Sequence, residues 1–234
     1  MKKSILILAN FFGWSASMLL TGCFSAVDTD EVPGAEYAGE AEAALVSYPG
    51  LFYNGVGGPG DWRVVSYGPV GSSQTQQVVV EINVGNVLVP PSTHIGIGLR
   101  GPSQSQGIPR GRGIILGYLN AAAGCNYMGV AVENYSSSGV VGSSCVPFTF
   151  ASYGTYRFTV TATSSNVFWD MSAREYDHEF HQYHWEPVLS GQCGTAPECT
   201  QLAADGTAGD VFVGQAFGPA GTTWNARNLT INHW

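Results

Sequence analysis

Apolar and polar residues alternate with a period of two along much of the chain after residue 43. The clearest examples are residues 77–84 (QVVVEINV), 93–100 (THIGIGLR), 155–163 (TYRFTVTAT) and 167–172 (VFWDMS). Such alternation is typical of half-buried antiparallel strands. Further strands are predicted at residues 61–67, 112–119, 126–133, 211–217 and 224–231. Because turn segments rich in Gly, Pro and Ser separate these runs, we predict an all-β fold, an antiparallel β-sandwich of about nine to twelve strands.

Composition agrees with this pattern. The chain has 234 residues, of which 31 are Gly and only 11% are charged. These values disfavour a coiled coil, a helical bundle or a charged disordered chain. The formal net charge is −8 and the only lysines are Lys2 and Lys3. Nucleic acids and anionic lipid surfaces are bound by clustered basic residues, so the sequence predicts neither as a partner.

The first 23 residues have the features of an export signal. Lys2 and Lys3 precede an uncharged, mostly apolar run, residues 5–20, which is short for a membrane span. The run ends in Leu20-Thr21-Gly22-Cys23, which resembles the lipobox of bacterial lipoproteins. The resemblance implies a signal peptide over residues 1–22, lipidation with palmitate at Cys23 and a membrane partner reached through the lipid. Since Phe24 is not Asp, the sorting rule of this family points to the outer membrane.

Residues 23–42 follow with six acidic side chains and no basic one. With Pro33, Gly34 and Gly39, this composition favours an extended, flexible tether, and the alternative is a first helix around residues 35–45. The sandwich domain is then expected over residues 43–234. Its four cysteines predict two disulfides in an oxidising compartment, and local pairing gives Cys125–Cys145 and Cys193–Cys199. A zinc site made of the four cysteines is the alternative.

The order of the later strands is more specific. A hairpin at residues 156–163 and 167–172 precedes a glycine-flanked strand, residues 209–214, and a closing strand that begins at Trp224. This order resembles the last third of a concanavalin A-like or laminin G-like jelly roll. The resemblance implies that the closing strand lies beside the N-terminal strand and that the fold is lectin-like. An immunoglobulin-like or cupin-like sandwich is the alternative.

Chemistry-bearing residues concentrate in residues 170–186 (DMSAREYDHEFHQYHWE). Glu175, Asp177 and Glu179 form an E-x-D-x-E pattern, in which a strand would place all three carboxylates on one face. The pattern resembles that of the laminarinase and lichenase clan of glycoside hydrolases. The resemblance implies a nucleophile at Glu175, an assisting carboxylate at Asp177 and an acid/base at Glu179. The apolar intervening residues of that clan are replaced here by Tyr176 and His178.

Two other hypotheses apply to the same segment. Imidazoles and carboxylates at Asp177, His181, His184 and Glu186 would suit Zn²⁺ or another divalent ion. Alternatively, the segment is a polar loop or exposed strand whose charged groups are solvated. In that case Tyr183 and Trp185 are candidates for stacking on sugar rings, although each could equally pack inside.

A second candidate ion site lies further along the chain. Asp205 and Asp210 flank a Gly-spaced turn and would suit Ca²⁺, as near the rim of laminin G-like domains, or would simply form a turn. No motif implies a cofactor beyond these possible divalent ions, Ca²⁺ or Zn²⁺. The sequence therefore predicts a cell-surface lipoprotein whose non-catalytic sandwich binds glycan or protein. A polysaccharide hydrolase using Glu175 and Glu179, or a structural envelope protein, is the alternative.

Overall fold

The computed structural model describes residues 44–55, 60–65, 75–85, 94–101, 111–119, 127–136, 139–163, 166–193, 209–217 and 223–234. Within these ranges the chain forms strands and no helix, and hence no helix long and apolar enough to cross a membrane. Cys23, Cys125, Cys199 and Asp205 lie outside the described residues, as do the predicted boundaries at residues 22/23 and 42/43. The strands are β1 (Ala44–Asn54), β2 (Asp61–Val65), β3 (Gln76–Val84), β4 (His94–Gly101), β5 (Gly111–Leu119), β6 (Tyr127–Ser136), β7 (Gly139–Pro147), β8 (Thr155–Ala162), β9 (Val167–Asp177), β10 (Gln182–Gln192), β11 (Asp210–Phe217) and β12 (Trp224–His233).

Two antiparallel six-stranded sheets make up the described part of the fold. The first sheet has the order β1-β12-β3-β8-β9-β10 and the second has the order β2-β11-β4-β5-β6-β7. The closing strand β12 pairs with the N-terminal strand β1, Ala44 opposite His233. The predicted hairpin is β8 and β9, Ala162 opposite Val167. The predicted antiparallel β-sandwich of the concanavalin-like jelly-roll type is therefore confirmed.

The alternating residues build the core between the sheets. In β3 the side chains of Val78, Val80 and Ile82 are buried while those between them are half-exposed. β8 repeats this pattern with Phe158 and Val160. Burying these apolar surfaces stabilises the fold by roughly 25 cal/mol per Å². The other face of the first sheet, here called its outward face, points away from the core.

The second sheet differs from the half-buried strands predicted for it. Every residue of β4 is buried, and so are the first seven of β5 and the first six of β11. Gly98 explains part of this, because the ring of Phe212 lies where a side chain at residue 98 would stand. The open face of the described sandwich is therefore the outward face of the first sheet.

Candidate functional site

The hairpin of β9 and β10 extends beyond the core at one end of the first sheet. The last pair between β8 and β9 is Tyr156 opposite Ala173. From residue 174 onward, β9 pairs only with β10, and the side chains of both strands become largely exposed. Residues 170–186 are therefore neither a loop nor a single exposed strand. They are most of a two-stranded ribbon at the edge of the sheet.

Asp177 organises the turn at the hairpin tip. One oxygen, Oδ1, accepts hydrogen bonds from the backbone N–H groups of Glu179 at 2.8 Å and Phe180 at 3.0 Å. An Asp side chain commonly closes a turn in this way. His181 completes the turn with a positive φ of 51°, and its Nδ1 lies 3.4 Å from the Tyr176 hydroxyl. The carboxylate of Asp177 therefore holds the turn.

An aromatic cluster covers the outward face of this ribbon. Tyr183 lies opposite Tyr176, and Trp185 lies opposite Arg174, so all four side chains share one face. The rings of Tyr176 and Tyr183 are 5.1 Å apart, in an edge-on arrangement. Tyr183 is 60% exposed and Tyr176 is 39% exposed. We call Tyr176, Tyr183 and Trp185 the aromatic patch.

Two arginines hold the patch in place. The guanidinium carbon of Arg174 lies 4.2 Å from the ring centroid of Tyr183, and that of Arg157 lies 4.0 Å from the ring of Trp185. Each such contact contributes about 0.5–1 kcal/mol at an exposed site. Arg157 also forms an ion pair with Glu81 at 3.0 Å. The patch is therefore anchored to strands β8 and β3 as well as to its own hairpin.

Carboxylates and histidine occupy the opposite face of the ribbon. Glu175 lies opposite His184, and the Nε2 of His184 is 3.8 Å from a carboxylate oxygen of Glu186. Both members of this pair are about half exposed. The charges are thus separated from the aromatic patch by the strand alternation.

The expected E-x-D-x-E geometry is wrong, because β9 ends at Asp177. Glu175 is on the strand but Glu179 is in the turn, so a single strand does not bring the three carboxylates to one face. In addition, Asp177 accepts two backbone hydrogen bonds. The structure does not assemble the arrangement that the hydrolase resemblance implied.

The predicted zinc ligands are also not brought together. His181 is in the turn beside Tyr176, while His184 and Glu186 lie further along β10. In the part of the chain that the structure describes, no three His, Cys, Asp or Glu side chains are grouped to hold a metal ion. Asp210, at the start of β11, is buried, whereas Asp205 is outside the described residues, so a calcium site at this pair stays a prediction.

Two of the four predicted disulfide cysteines are described. Cys145, in β7, and Cys193, just after β10, are both disulfide-bonded. Their predicted partners, Cys125 and Cys199, are outside the described residues, so the pairing stays a prediction.

Sequence reasoning found Tyr183 and Trp185 but missed Arg157, Arg174 and Tyr176. The missing information was the position of the turn. Once residues 178–181 are a turn, Arg174 and Tyr176 fall opposite Trp185 and Tyr183. The i, i+2 spacing within each pair was the available signal.

No family model matches the sequence, and no curated protein matches it. Peanut lectin, solved with a 9mer peptide, matches the structure at a TM-score of 0.52 and 12% identity, covering 82% of this chain and 97% of the lectin. Basic winged bean lectin with Tn-antigen matches at 0.48 and 9%, covering 82% and 99%. A GH43 protein from Bacillus licheniformis matches at 0.37 and 11%, covering 74% and 32%. At these identities the likeness is one of fold, and it is carried by peanut lectin: a legume lectin-like jelly roll.

Proposed function

We propose that this chain is a lipid-anchored protein of the bacterial outer membrane whose sandwich binds glycan without cleaving it. The observation that carries the proposal is the aromatic patch on the outward face of the β9–β10 hairpin. Sugars bind through C–H faces that stack on aromatic rings and hydroxyls that reach polar groups. The patch offers exposed rings beside two guanidinium groups.

The patch is pre-organised for such a ligand. Tyr183 contacts both Tyr176 and Arg174, and Trp185 contacts Arg157. Ordering a free side chain on binding costs about 0.5–1.5 kcal/mol. Rings that are already held in place avoid part of that cost, which favours binding.

The sheet topology suits an anchor at Cys23. Ala44, where the chain enters β1, lies opposite His233, and the pairing His233–Gln76–Ala162–Val167 continues across that end of the sheet. The hairpin tip at residues 178–181 follows the other end of β9. A tether over residues 23–42 would therefore join the sandwich at the end away from the tip, leaving the aromatic patch facing outward from a membrane.

A polysaccharide hydrolase is supported less well. Its proposed acid/base, Glu179, lies in the turn, and Asp177 is engaged in holding that turn. A protein ligand at the same patch, or a structural role in the envelope, is distinguished from glycan binding by experiment.

The test uses residues 43–234, which contain all twelve described strands. The fragment is mixed with cellulose, chitin, xylan, alginate and isolated cell walls, and the pellets are analysed for retained protein and the solutions for new reducing ends. We expect retention on at least one polymer without new ends. Absence of retention on every polymer would overturn the glycan proposal. New ends that vanish in Glu179→Gln would establish the hydrolase instead.

A further inference from the structure

A second recess lies on the same outward face, at the other end of the β9–β10 pair. It has a volume of about 350 Å³ and is lined by Phe168, Trp169, Asp170, Ser190, Gly191 and Gln192. Asp170 lies opposite Ser190, and Phe168 lies opposite Gln192. The recess is therefore built from two successive rows of the ladder.

The side chains of these rows have the chemistry that a sugar ring requires. Phe168 is 39% exposed and offers a ring to stack on. The carboxylate of Asp170, the hydroxyl of Ser190 and the amide of Gln192 supply acceptors and donors for sugar hydroxyls.

Gly191 shapes the floor of the recess. A side chain here would come within 2.7 Å of the indole of Trp169, which is buried on the core side. The close packing of indole against glycine backbone keeps this end of the hairpin thin and rigid.

The recess and the aromatic patch are collinear. Residues 168, 170, 172, 174 and 176 alternate along β9 and all point outward. The distance from the row of Phe168 to the row of Tyr176 is roughly 26 Å, at about 3.3 Å per strand residue. Between them, Ser172 lies opposite Pro187, and neither side chain is bulky enough to divide the surface.

One side of this surface is unobstructed, because β10 is the edge strand of the first sheet. On the other side β8 contributes Arg157 and Thr159, opposite Ser172 and Asp170. A polymer that follows the hairpin axis would contact both ends without leaving the face.

We infer that the recess and the aromatic patch are two ends of one binding track, and that its ligand is an internal segment of a linear polysaccharide rather than a terminal sugar. This inference rests on the proposed glycan binding. It assigns Phe168, Asp170, Ser190 and Gln192 to a second subsite.

The test measures affinity against ligand length with the full-length chain purified in detergent. The probes are cello-, chito-, xylo- and alginate-derived oligosaccharides, from disaccharide to octasaccharide. For the oligosaccharides that bind, we expect affinity to rise at least about tenfold from the shortest to the longest, because only long chains reach both subsites.

Variants separate the two ends. Phe168→Ala should lower octasaccharide affinity about tenfold and leave the affinity for short oligosaccharides at the patch unchanged. Trp185→Ala should weaken both. Trp234→Ala is the matched control, because this ring is 54% exposed and lies on β12's side of the sheet, outside the track.

The outcomes distinguish the inference from the proposal beneath it. Binding that depends on Trp185 but not on ligand length or Phe168 would overturn the track and leave a single-subsite lectin. Binding of no oligosaccharide at all would overturn both.

Discussion

At the scale of single residues, the outward face depends on side chains that have two roles. Arg157 neutralises Glu81 at 3.0 Å and also lies over the ring of Trp185. A half-exposed ion pair contributes only about 0–1 kcal/mol to stability. Its larger effect is on geometry, because the guanidinium is held where it fixes the indole. Substituting Arg157 should therefore disturb the patch more than it destabilises the fold.

Tyr53 is a second residue whose environment has a measurable consequence. Its hydroxyl donates a hydrogen bond to Asp61 Oδ2 at 2.9 Å, and its ring packs on Trp224. Burial, followed by the contact with Asp61, raises the pKa of Tyr53 well above its usual value. A raised pKa contributes stability that is present below the unfolded-state pKa of about 10 and is lost as pH rises further.

We therefore predict that the free energy of unfolding falls above about pH 10. Tyr53→Phe should lose about 1 kcal/mol at neutral pH, because its hydrogen bond is gone, and should show a smaller alkaline loss than the wild type. Urea unfolding at about pH 8 and about pH 11 measures both effects. Equal alkaline losses in the two proteins would contradict the assignment to Tyr53.

At the scale of elements, the hairpin is stable locally only if its turn is held. Asp177→Ala removes the acceptor for the N–H groups of Glu179 and Phe180. We expect the amides of the tip to exchange with solvent faster by a factor equivalent to about 1 kcal/mol. Asp177→Asn keeps the Oδ1 acceptor and is the matched control. Hydrogen exchange that is unchanged in Asp177→Ala would show that the turn does not depend on this side chain.

The strands that sequence patterning predicts are those with one buried face. QVVVEINV in β3 and TYRFTVTAT in β8 alternate because the core accepts every second residue. β10 was not predicted as a definite strand because most of its residues are exposed on both faces, so no apolar period marks it. β7, GVVGSSCVP, likewise lacks alternation.

The site follows the same logic. Tyr183 and Trp185 could be found from residue type and spacing, but the arginines that hold them depend on the register between strands. Arg157 contacts Trp185 from β8, across β9. Register is set by the position of the turn at residues 178–181 and by packing, which a single sequence does not display.

At the scale of the whole molecule, the two sheets differ in what their outer faces offer. The described strands β4, β5 and β11 of the second sheet are buried on both faces. The first sheet keeps an outward face of amides, hydroxyls and aromatic rings, crossed by hydrogen bonds such as Asn83 to Asn225 at 2.8 Å. This asymmetry places the proposed ligand on the first sheet.

The proposed anchor makes a prediction for the whole chain. In a bacterial host, the wild type should incorporate labelled palmitate and fractionate with membranes. Cys23→Ser should lose the label and leave the membrane fraction, because no covalent lipid remains to hold it. A wild type without label, or a Cys23→Ser variant that stays in the membrane fraction, would contradict lipidation at this residue.

The central claim is that glycan binds at the aromatic patch, and a double variant tests it most directly. Tyr183→Ala combined with Trp185→Ala is compared with wild type and Trp234→Ala for affinity toward whichever polysaccharide retains the wild type, after circular dichroism shows that all three are folded. We predict a loss of at least about tenfold in the double variant and no change in the control. Affinity in the double variant equal to that of wild type would place the binding surface elsewhere and contradict the claim.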